Sequence, residues 1–188
     1  MQIVTRSFLF STLFSMLFAL CAVPAQAALP NSLDFDGNTL TLNGKGMRKV
    51  AMLSMYEGGL YLTANSSDGN AIAAADQPMS IRLDIVSGMI TSEKMEEALS
   101  EGLENSTGGN IAPIQAHVDA FMAVFQEKIE KGDVFDIAYL PGKGMDIYKN
   151  GTFKATIDGG MEFKKAIFGI WLGDKPADKN LKKGMLGK

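Results

Sequence analysis

Arg48 is the polar residue of this chain best placed to bind something. It stands where a glycine-rich turn, Gly44-Lys45-Gly46, enters a long apolar run that carries Tyr56 and Tyr61. A guanidinium beside an apolar, tyrosine-bearing surface can clamp a carboxylate or phenolate through two parallel hydrogen bonds. The same placement fits a strand-edge arginine paired with a surface acid, and the local sequence leaves both readings open. Other chemistry is mostly excluded. His117 is the only histidine, and it falls on the flank of an apolar helical stripe with nothing nearby to complete a triad. One histidine rules out a histidine-rich metal site, and no carboxylates have calcium-loop spacing. Lys49 stands where a dinucleotide fingerprint starting at Gly44 needs glycine, and no Walker-type loop occurs. Glu93, Glu96, Glu97, Glu101 and Glu104 read as the solvated face of a helix. The triplets at Asn65, Asn105 and Asn150 fit the glycosylation pattern, which is common by chance. No cofactor and no metal are expected.

The chain opens on a targeting pattern. Arg6 precedes an apolar stretch, Phe8 to Val23, and Pro24-Ala25-Gln26-Ala27 ends in Ala-x-Ala. This predicts a signal peptide over residues 1–27, removed after Ala27, and a periplasmic or secreted protein. The uncharged run from Ser7 is long enough to span a bilayer, but the small-residue cleavage site argues against a retained anchor. Leu20 is too bulky for the position before a lipoprotein Cys21. The mature protein, residues 28–188, is then one domain with a core of ordinary size. Its only cysteine leaves with the leader, so packing alone must hold it together. It carries 17 basic against 21 acidic side chains and no basic stripe, which argues against a nucleic-acid binder.

The elements that must position Arg48 follow from periodicity. Residues 32–43 alternate around Asp36-Gly37-Asn38, a β-hairpin signal. Met47 to Thr63 is a β-like run interrupted at Gly58-Gly59, where glycine marks a bulge, a bend or a close approach. A polar loop with an alanine-rich helical turn spans 65–76. Met79 to Ser87 alternates as a strand with Arg82 and Asp84 on a wet face. Thr91-Ser92-Glu93 opens a helix whose inner side is Met95, Leu99, Gly102 and Leu103. Pro113 starts a second helix, with Ile114, Val118, Phe121, Met122, Phe125 and Ile129 on one stripe up to Gly132. Residues 134–140, 145–149 and 153–157 are strands, the last two joined by Asn150-Gly151.

A final helix begins at Asp158 as N-cap and lays Phe163, Ile167, Ile170 and Trp171 on one face. Gly173 is expected in the left-handed position that ends it, with Pro176 beyond. Leu181, Met185 and Leu186 make a second, smaller contact. Strands, two helices, strands and a helix describe an α+β domain: an antiparallel sheet of six or seven strands covered by helices on one face.

Several segments together resemble the bacterial chalcone isomerase-like family. They are Gly46-Met-Arg-Lys49, Met55-Tyr-Glu-Gly-Gly-Leu-Tyr-Leu62, the Glu-Gly-Leu ending of Met95–Leu103, Lys131-Gly-Asp133, Gly142-Lys-Gly144, Asn150-Gly151 and Ile170-Trp-Leu-Gly-Asp-Lys-Pro-Ala-Asp178. The resemblance implies an open-faced β-sandwich with a ligand cleft between sheet and helices, the last helix bordering it. It also implies site positions. The family's catalytic arginine matches Arg48, its strand threonine falls at Tyr56, and its helix tyrosine and asparagine fall near Thr91 and Ala98. The threonine of its last helix falls at Ile170. Loss of each donor that acts on developing charge costs about 10²–10³ in rate. The resemblance therefore implies a non-catalytic ligand binder more than an isomerase. The expected ligand is a fatty acid or similar small amphipathic carboxylate, held by Arg48, Tyr56, Tyr61 and Ile170. The alternatives are an intramolecular lyase of the chalcone–flavanone type and an interaction module with a filled cleft.

Overall fold

The computed structural model describes residues 29–188; the expected leader lies outside the described residues. Seven strands form one antiparallel sheet in chain order: β1 (Ser32–Phe35), β2 (Asn38–Val50), β3 (Leu53–Leu62), β4 (Met79–Ile85), β5 (Val134–Leu140), β6 (Gly144–Lys149) and β7 (Thr152–Ile157). The helices are α1 (Gly69–Ala74), α2 (Ser92–Thr107), α3 (Gln115–Ala123), α4 (Gly160–Leu172) and α5 (Lys179–Met185). One face of the sheet (Leu60, Ile81, Leu83, Phe135, Ile137 and Ile147 among others) joins Leu99, Phe121, Ile167, Trp171 and Met185 of the helices in the main core. The open-faced α+β arrangement expected from the sequence is therefore the fold.

The other face carries a smaller cluster of Phe35, Leu40, Tyr61, Ala138 and Leu140. The polar residues of β4 are not on a wet face as expected. Ser80 and Asp84 are buried, and Arg82 forms a two-pronged ion pair with buried Asp136 at 2.6 and 2.8 Å. Arg82 and Asp136 stand opposite each other on adjacent strands, so each charge neutralises the other.

Local signals locate most element ends. Thr91 caps α2 by accepting from the Lys94 N–H, and Asp178 caps α5 through Asn180 and Leu181. The Asn150-Gly151 turn joins β6 to β7. Four expectations need correction. Gly44-Lys45-Gly46 is not a turn but lies inside β2, because α5 covers it: a side chain at Gly44 would collide with the Gly184 carbonyl, and one at Gly46 would lie 3.0 Å from the Leu181 Cα. The chain reverses instead at Ala51-Met52, with Ala51 at φ +54°. The N-cap of α4 is Gly159, not Asp158. Gly173 is extended (φ −71°, ψ −178°), not left-handed, and its N–H still closes the helix onto the Gly169 carbonyl. The second helix is also shorter than its stripe: α3 ends at Ala123 and tightens to a 3₁₀ turn through Gln126, and buried Ile129 follows in non-helical backbone.

Candidate functional site

A one-residue bulge decides which way Arg48 points. Leu42 pairs with Tyr61 and Gly44 with Leu60, so Asn43 is an extra residue in β2. Leu40 and Leu42 pack on the smaller cluster. Without the bulge the strict alternation of a strand would keep residues 44, 46 and 48 on that same side. With it they turn to the helices. Asn43 is held there from both ends: its amide donates to the carbonyls of Ser66 and Met185, and its side-chain oxygen accepts from the Ser66 N–H.

Arg48 then stands directly opposite Tyr56, with the guanidinium carbon 5.8 Å from the ring centre. A second register shift at Met55 turns both Met55 and Tyr56 into the main core. Tyr56 is buried, and its hydroxyl accepts a 2.9 Å hydrogen bond from the Trp171 Nε1–H of α4. Burial pushes the Tyr56 hydroxyl up to about 12, against the opposing pull of Arg48 and of the Trp171 bond. It is a neutral phenol at any ordinary pH.

Asp178 completes the surroundings of Arg48. It accepts from the N–H groups of Lys49, Asn180 and Leu181. Burial alone would raise its carboxyl, but those N–H groups and the Arg48 charge hold it below its usual value. Asp178 is thus committed to the backbone, and Arg48 forms no ion pair among the described residues.

Beside this pair lies a cavity of about 190 Å³, between the end of the β2–β3 hairpin and α2. Its apolar walls are Val50, Met55, Ile90, Met95 and Ala98, and Arg48 and Tyr56 line it too. Lys94, Glu97 and Glu101 form its exposed rim. Gly102 brings α2 hard against α4: a Cβ there would sit 2.6 Å from Ile170 Cγ2.

The sequence candidates therefore separate. Arg48 and Tyr56 share the cavity wall. Ile170 is buried behind Gly102 rather than on the wall. Tyr61 lies on the opposite face of the sheet, its hydroxyl donating to the Pro30 carbonyl at 2.9 Å. Among the positions implied by the resemblance, Ala98 lines the cavity and Thr91 is the α2 cap. His117 packs its ring against Phe163 and faces no partner that would activate it. Trp171 and Asp178 also belong to the site, although neither is among the sequence candidates. Asp178 carried the one legible signal, an acid three residues before Leu181 at the start of a short amphipathic turn.

Among the described residues no group of histidine, cysteine and carboxylate side chains is arranged to hold a metal ion. Among the described residues lining the cavity, Tyr56 carries the one hydroxyl. The arrangement can bind an anion beside an apolar chain. Its donors are Arg48, Tyr56 and, at the rim, Lys94.

The fold has solved counterparts. The crystal structure of a fatty-acid binding protein of Arabidopsis thaliana superposes with a TM-score of 0.65 at 21% identity, over 84% of this chain and 90% of that one. No curated protein sequence matches significantly. The family model described as chalcone isomerase-like matches residues 23–187. Covering nearly all of the described residues, that match places the chain in the chalcone isomerase-like family.

Proposed function

We propose that this protein is a non-catalytic carrier of a fatty acid or similar small amphipathic carboxylate. The observation that carries this reading is an arginine without an ion pair, held at the wall of an apolar cavity beside a neutral phenol. The ligand carboxylate takes the two N–H prongs of Arg48, and Tyr56, whose oxygen already accepts from Trp171, has its own proton to donate. The acyl chain runs between Met55, Ile90 and Met95. The cavity is smaller than the roughly 300–1,000 Å³ of most small-molecule sites. Met55 and Met95 are unbranched and can swing to lengthen it. The fatty-acid binding neighbour supports the choice of ligand class through fold alone. The Ala-x-Ala pattern at 25–27 supports export and loss of residues 1–27, which N-terminal sequencing of the protein from its own cells will test.

The test is mass spectrometry of organic extracts from the gently purified protein, paired with titration of added fatty acids. The parent protein should yield a carboxylate lipid, and Arg48→Ala should weaken binding by about 10- to 150-fold, the equivalent of about 1.5–3 kcal/mol for charge-assisted hydrogen bonds. Ala98→Phe, which fills the cavity without touching Arg48, should abolish uptake. No lipid in the extract and no uptake on titration would overturn the reading. Turnover of a chalcone above its spontaneous rate, lost in Arg48→Ala, would replace it with the isomerase.

A further inference from the structure

Four of the five large apolar side chains exposed among the described residues lie at one end of the molecule. They are Val50 (48% exposed), Met52 (94%), Leu53 (51%) and Met89 (49%). The first three form the tip of the β2–β3 hairpin. Met89 belongs to the loop that leads into α2, and that loop is tied to the hairpin by the N–H groups of Val86 and Ser87, which both donate to the Met55 carbonyl. The tip is a firm projection: Val50 and Leu53 pair across it, and Ala51 holds a left-handed conformation that glycine would take more readily. A polar Asn-Gly or Asp-Gly would be the ordinary choice for such a turn.

Two further features say what covers this tip. Arg48, Lys49 and Lys94 flank it, and none forms an ion pair among the described residues. The acids on this side are Glu97 and Glu101 of the cavity rim and Asp178, which is already engaged by the N–H groups of Lys49, Asn180 and Leu181. Four side chains on a two-stranded finger also fall far short of the roughly 800 Å² per partner that a stable protein interface needs. A fluid bilayer requires no matching surface, only apolar side chains to immerse and cations to meet its headgroups.

We propose that the hairpin tip docks on an anionic lipid bilayer, with Met52, Leu53, Val50 and Met89 immersed and Arg48, Lys49 and Lys94 at headgroup level. Val50 carries the argument to the site, because it is both part of the tip and part of the cavity wall. The cavity then opens at the membrane surface, and a bilayer lipid reaches Arg48 without crossing water. This extends the carrier reading, but its test needs no cargo.

The test uses the full chain with Cys21→Ser and a nitroxide attached at Met52→Cys or, as a control at the β1–β2 end, at Thr39→Cys. Accessibility to a water-soluble paramagnetic relaxer is read with vesicles of phosphatidylglycerol and phosphatidylcholine. The Met52 label should lose most of its accessibility and the Thr39 label should keep it. Both labels share the same residues 1–28, so attachment through that segment alone leaves the Met52 label in water and overturns the proposal. Shielding of the Met52 label without vesicles, by a second copy or by the chain's own N-terminal segment, also overturns it. Equal immersion in pure phosphatidylcholine overturns the role given to the cations. Immersion in a protein that binds no fatty acid would sustain docking while removing the carrier reading.

Discussion

The Trp171 Nε1–H donates to the Tyr56 hydroxyl at 2.9 Å, joining α4 to β3 across 115 residues of chain. Both side chains are buried, so neither polar atom has water to fall back on. The bond aims the Tyr56 ring at Arg48 and ties the last long helix to the cavity wall.

Tyr56→Phe leaves the indole N–H without an acceptor. The unmade bond should cost about 1–3 kcal/mol, because a buried donor is desolvated with no return. Urea unfolding followed by the emission of the single tryptophan will read it, with a lower midpoint and an unchanged slope. The same emission in the parent protein should change on titration with ligand, since Trp171 touches the wall.

Gly102→Ala probes the α2–α4 seam. Alanine gains about 0.8–1 kcal/mol in helix propensity over glycine. Its Cβ, however, meets Ile170 at 2.6 Å, inside contact distance. Overpacking costs about 1–3 kcal/mol and should win. Gly102→Ala with Ile170→Ala should cost less than the two single losses added, because alanine removes the Cγ2 and Cγ1 atoms that the new Cβ meets. Strictly additive losses in urea would show that the two helices simply separate.

A buried lysine and three buried tyrosines give opposite pH dependences. Lys164 of α4 donates to the carbonyls of Ile72, Ala73 and Ala75 at 2.7–2.9 Å, closing the end of α1. Burial pushes it down to about 8, with the Asp76 charge opposing. Between pH 8 and its ordinary 10.5 the unfolded chain holds this proton more firmly, so the Lys164 contribution to stability rises with pH. Burial pushes Tyr56, Tyr61 and Tyr139 up to about 12. Their contribution is whole below pH 10 and is lost as pH climbs to 12, because the unfolded chain ionises first. Unfolding free energies at pH 7, 8.5 and 10 should show the parent gaining on Lys164→Met across that range. Absorbance at 295 nm should show these three tyrosines still protonated at pH 11 while the protein remains native.

Local sequence determined a good deal of this molecule. Thr91 and Asp178 cap helices, Asn150-Gly151 turns a hairpin, and Phe163, Ile167, Ile170 and Trp171 make one apolar stripe, because each signal depends only on residues within a turn or two. The alternation of β4 to β7 likewise predicted an antiparallel sheet under helices, and Arg48 stood out by type and setting. Tertiary structure alone decided which face Arg48 takes. A strand's faces exchange with a shift of one residue, and that shift rests on Asn43, fixed by the carbonyl of Met185 more than a hundred residues away. Hence Arg48 joins Tyr56 on the helix side, whereas Tyr61, five residues further along the same strand, takes the other side by simple alternation. The glycines at 44 and 46 looked like a turn because glycine alone reports a missing side chain, not the reason for it. Here the reason is α5, whose backbone occupies the space.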